Sequence, residues 1–85
     1  MTSRERELEL LGMLQSHEIL RLRGFSFVMG PEGGVVIDRW GHVRGIWRFK
    51  DGHFGWTPPS YNSPVHWVAT AEAAVRYTLV TLAVN

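Results

Sequence analysis

Apolar and polar positions alternate most regularly between Val35 and Thr57, and the rest of the chain is read outward from there. Asp51-Gly52 is a strong hairpin signal, because a two-residue type I′ turn needs positive φ at both central positions. Such a turn pairs Lys50 with His53, Phe49 with Phe54, and Trp47 with Trp56. Strand alternation then gathers Trp47, Phe49, Phe54 and Trp56 on one face and Arg48, Lys50 and His53 on the other. Upstream, Asp38-Arg39-Trp40-Gly41 fits a type I turn closed by a left-handed glycine. That three-residue loop would set Val43 opposite Ile37, so that Val35 and Ile37 join the aromatic face.

On the N-terminal side, Thr2 and Glu5 form a capping box that opens a helix over residues 3–22, stopped by Gly24. Leu8, Leu11, Leu14, Ile19 and Leu22 make its apolar stripe. Met13 and Leu20 fall together on the nominally polar side, either as part of a broad buried face or as a contact strip for another molecule. Phe25 to Met29 alternates as a strand, and Gly30 to Gly34 is a loop without the GxxxxGK[ST] pattern of a phosphate cradle.

The segment Pro58 to Pro64 holds three prolines and cannot be regular structure. Trp56, Tyr61 and Trp67 surround it, either pinning the loop to the core or forming a shallow aromatic groove for a peptide. Val65 to Ala69 suits a short final strand. Thr70 then caps a second helix running to about Ala83. Ala71, Val75, Leu79 and Leu82 form one stripe of it, and Ala73, Tyr77, Val80 and Val84 another. A helix apolar almost all round is buried between the sheet and either the first helix or another subunit, and for the second case Met13, Leu20, Tyr77, Val80 and Val84 are the candidate self-association residues. The β-branched run from Thr78 to Val84 also suits a strand. The expected fold is α+β: an N-terminal helix, an antiparallel meander of three to four strands, and a C-terminal helix packed on the same sheet face.

Composition narrows the function more than it identifies one. The 85 residues, 45% hydrophobic with four Trp and four Phe, make one small domain spanning 1–85. A formal charge of +1 selects no class of partner. The chain has no Cys, which removes disulfides and thiolate chemistry and fits a reducing cytoplasm. No apolar run approaches a membrane span, and the first residues are charged where a signal peptide would be apolar.

Candidate chemistry is sparse. His17, His42, His53 and His66 show no ligand spacing, and Asp38 and Asp51 are accounted for by turns. No nucleophile, base and orienting group can be assembled, so neither catalytic residues nor a cofactor or metal are expected. What remains is basic. Arg44, Arg48 and Lys50, with His53, share the non-core face of the central hairpin, and Arg39, Trp40 and His42 stand at its tip. Trp40 at a central turn position would project from the hairpins as an interaction anchor, or fold back over Val36 or Arg44. The helix–strands–helix order is similar to that of the double-stranded RNA-binding domain. The basic start which that family's second helix carries is Thr70-Ala71-Glu72-Ala73-Ala74 here, so the family's function is not carried over. The expected function is a non-catalytic binding or regulatory module acting through protein contacts, including its own self-association. The alternative is a small nucleic-acid-binding protein that uses the basic hairpin face.

Overall fold

A computed structural model describes residues 2–84. At its centre is the hairpin of β3 (His42–Lys50) and β4 (His53–Thr57). Asp51 and Gly52 take φ of 54° and 81°, and the pairs Lys50–His53, Phe49–Phe54 and Trp47–Trp56 form as expected. Trp47, Phe54 and Trp56 are buried, with Trp47 and Trp56 ring centres 5.1 Å apart and Phe49 and Phe54 4.8 Å apart. Tilted and edge-on rings at these distances add to the burial of their area.

Five strands, rather than three or four, form one antiparallel sheet in chain order. Besides the central pair these are β1 (Phe25–Met29), β2 (Val35–Arg39) and β5 (His66–Val68), so both edge segments pair. The β2–β3 turn is tighter than expected. Arg39 pairs with His42, leaving Trp40 and Gly41 as the loop, with φ of 52° and 82°. Asp38 Oδ1 accepts the Gly41 N–H at 3.1 Å and holds the turn. Val43 therefore lies opposite Asp38, not Ile37. A bulge follows, and Gly45 takes the place opposite Ile37. That extra residue restores the phase: Val35 faces Trp47, and Val35 and Ile37 are buried. Gly45 has φ 149°, and a Cβ there would stand 2.4 Å from the Trp56 ring. The bulge needs a glycine.

The expected helix over 3–22 is two helices, α1 (Ser3–Gln15) and α2 (Glu18–Leu22). The Thr2–Glu5 capping box is present, with both hydrogen bonds at 3.1 Å. Ser16 Oγ donates to the Gly12 carbonyl at 2.8 Å, and His17 is extended (ψ 108°), so the chain breaks there. The break turns Leu20 wholly into the core and leaves Ile19 and Leu22 exposed. Of the stripe Leu8–Leu11–Leu14, the inward direction holds at Leu14, partly at Leu11 and not at Leu8. Glu7, Leu10 and Leu14 point inward, Leu11 is partly buried, and Leu8 is exposed.

Glu7 occupies the place where an apolar residue would have revealed the phase. Its two carboxylate oxygens accept the N–H of Gly34 and of Phe49, each at 2.9 Å. β2 begins at Val35 while β3 runs on to Lys50, so the carboxylate joins the strands where their own ladder has ended. The last helix, α3 (Ala71–Thr78), is capped by Thr70 and continues as a π-helical turn over Leu79–Ala83, so this run is helical rather than a strand. Buried Thr78 explains part of that continuation. Its hydroxyl donates to the Ala74 carbonyl at 2.8 Å and accepts the Trp47 indole N–H at 3.0 Å. Arg23 Nη1 donates to the Ala83 carbonyl at 2.8 Å, closing the helix's C-terminal end. α1 and α3 pack on the aromatic face of the sheet, and among the described residues no helix covers the opposite face.

Candidate functional site

The helix-free face acquires relief from one glycine. Alternation puts Gly55, between Phe54 and Trp56, on this outer face, opposite Trp67 of β5. A Cβ at Gly55 would stand 2.9 Å from the Trp67 ring and 3.0 Å from Pro64. The indole and the proline therefore lie directly over the backbone of β4. The proline-rich loop is fastened there by Val65 N–H donating to the Trp56 carbonyl at 2.8 Å. Trp67 stays 46% exposed and Tyr61 60% exposed.

Two hollows flank Trp67. One, about 340 Å³, is lined by Ile46, Arg48, Lys50, Thr57, Tyr61, Asn62, Pro64 and Trp67. The other, about 370 Å³, is lined by Lys50, Asp51, His53 and Trp67. Lys50 and Trp67 belong to both. Arg48 and Lys50, two apart on β3, point to the same side, as the pleat requires. The arrangement offers two cations, two open ring faces, an amide and a hydroxyl. It can hold an anionic, ring-bearing chain lying across the strands.

The hairpin residues expected to act together are divided between two sides. Arg48, Lys50 and His53 are on the outer face, and Arg44 sits half-buried at the bulge. Arg39, Trp40 and His42 do not join them. Arg39 pairs with Phe25 and His42, and its guanidinium stacks 4.8 Å from the Phe25 ring and 4.1 Å from the Trp40 ring. Its Nε donates to the Arg23 carbonyl at 2.9 Å. Trp40 keeps a largely exposed ring beside the Arg39 guanidinium. It folds onto Gly24, where a Cβ would meet its indole Nε1 at 2.3 Å, while remaining 71% exposed. The two-residue turn and the bulge produce this division.

The self-association candidates also separate. Leu20 is fully buried in the protein's own core and unavailable to a partner, and Met13 is partly buried against that core. Tyr77 is half-buried, edge-on to Trp47 at 5.6 Å and stacked on His66 at 4.4 Å. Val80 and Val84 are exposed, and Val80 borders an apolar hollow of about 280 Å³ with Val68, Ala73 and Tyr77. Tyr61 and Trp67 are the rings the sequence offered for a shallow groove, while Asn62 and the approach of Trp67 to Gly55 were missed by sequence reasoning. The available signal was a glycine inside a strand of bulky residues, which marks a close approach.

Among the described residues no three His, Asp or Glu side chains are grouped to hold a metal ion, and no helix is long and apolar enough to cross a membrane. Comparison with protein-family models, with curated proteins and with solved structures gave no match.

Proposed function

We propose that this chain is a non-catalytic binding module that works through the helix-free face of its sheet, with the hollows around Trp67 as contact surface for an anionic partner. The observation that carries this reading is the meeting of Arg48 and Lys50 with the open rings of Tyr61 and Trp67 on one surface. Among the described residues Asp51, in the hairpin turn, is the one carboxylate lining either hollow. A ring held over a strand, as Trp67 is over Gly55, loses little freedom on binding, which favours it as an anchor. A chain without cysteine suits work in the reducing cytoplasm. The test is an amide-shift titration of ¹⁵N-labelled protein with polyglutamate, heparin and oligouridylate. Shifts gathered on β3, β4 and β5 are expected with at least one of them. Shifts confined to α1 and α3, or none, would remove this reading.

A second reading, self-association, is supported by exposed Val80 and Val84 beside the apolar hollow along α3. Light scattering behind size exclusion decides it: a mass of 9.7 kDa at high concentration excludes a dimer.

A further inference from the structure

We infer that the occupant of the outer face is a single-stranded nucleic acid, with bases stacking on Trp67 and Tyr61 and phosphates held by Arg48 and Lys50. The inference rests on the outer face being the binding surface, and adds the chemistry of what lies there.

Shape gives the first argument. The hollows lie in series, sharing Lys50 and Trp67, and each is at the low end of the roughly 300–1,000 Å³ of small-ligand pockets. A surface of that form suits a chain crossing the strands better than an enclosed small molecule. The rings give the second. Trp67 lies against the backbone of Gly55 beside Pro64 and stays 46% exposed, so the indole is held on the sheet with part of its surface free. An aromatic face stacks on any base, and a basic groove alongside follows the backbone; together these make sequence-tolerant binding of single strands. A duplex keeps its bases stacked on each other and would leave both rings without partners. An acidic peptide would satisfy the cations but not the ring faces. The polar groups agree: Asn62 and Thr57 stand in the same hollow as Tyr61 and offer a donor and acceptors for a base edge.

The test is fluorescence anisotropy of a short labelled oligouridylate with the whole chain, in parallel with a duplex of the same length and with labelled polyglutamate. Tight preference for the single strand is expected, with Trp67→Ala weakening it roughly tenfold to a hundredfold. Arg48→Glu or Lys50→Glu should each flatten the slope of log affinity against log salt by about 0.7. Leu22→Glu, at an exposed position of α2 away from the outer face, should bind as wild type does. If Trp67→Ala fails to fold, Tyr61→Ala, at an exposed loop position, carries the same expectation. Equal or tighter binding of the duplex overturns the inference, as does binding indifferent to the ring variants. Polyglutamate binding without oligouridylate binding overturns it too, but leaves the outer face as the contact surface. Absence of binding by every polymer, with no amide shifts on β3–β5, removes both.

Discussion

Replacing Glu7 with alanine should weaken the fold about as much as truncating a buried leucine of α1 such as Leu10 or Leu14. The carboxylate accepts two backbone N–H groups, from Gly34 and Phe49, and is itself buried. A hydrogen bond to a charged group contributes about 1.5–3 kcal/mol, and a buried donor left unpaired is costly in its own right. Removing the carboxylate also relieves the cost of keeping a charge out of water, so the net loss is about 3–4 kcal/mol rather than the full sum. A domain of 85 residues has roughly 4–13 kcal/mol in total. For this size each kcal/mol moves the midpoint by about 4–8 °C, so the expected drop is about 12–32 °C. Thermal unfolding followed by near-ultraviolet circular dichroism reads the drop directly. Hydrogen exchange should show the Gly34 and Phe49 amides losing protection before their neighbours. Glu7→Gln keeps one accepting oxygen but turns an amide N–H₂ toward the other donor, so it should fall between wild type and alanine. An alanine variant melting within about 5 °C of wild type would refute the bridge, since that shift corresponds to no more than about one ordinary hydrogen bond.

Thr78→Val keeps the shape but strips the acceptor from the buried Trp47 indole N–H, and should cost about 1–3 kcal/mol in urea unfolding. Trp47→Phe in the same background should then cost less than it does alone. Gly45→Ala places a methyl group against the Trp56 ring at a φ that L residues avoid, so it should shift the melting midpoint down and disperse the β2–β3 amide signals differently from wild type. Glu5 is held below the ordinary glutamate range, first by the Thr2 backbone N–H and then by the Thr2 side chain. A lowered folded value contributes stability above the unfolded value that is lost as pH falls through the folded one. The midpoint difference between wild type and Glu5→Gln should therefore close on acidification, which a melting series against pH will show.

The two hairpins illustrate what a sequence can and cannot disclose. Asp51-Gly52 has residues tolerant of positive φ at both central positions, so turn type, register and buried face follow together. Asp38-Arg39-Trp40-Gly41 fits a three-residue turn equally well. What selects the shorter loop is tertiary: Arg39 stacks on Phe25, Trp40 lies on Gly24, and Gly45 absorbs the offset. The same holds for α1, where a carboxylate at a core position makes the apolar stripe read in the wrong phase. Val35 and Ile37 were placed on the buried face through a register that does not occur, because the bulge cancels the error in the turn. Arg48 and Lys50 were legible as an outward pair from alternation alone. The hollow beside them was not, since it depends on which residue of β5 meets Gly55.

β5 has three residues and lies at an edge, so it is the strand most easily released by local opening. It also faces two ways. Trp67 looks outward, while His66 stacks on Tyr77 of α3 and Val68 packs against the core. Anything that holds the indole in place slows the fraying of this strand, and that steadiness reaches the helix on the far side of the sheet through His66 and Tyr77. Exchange rates along α3 would then register a molecule that never touches it.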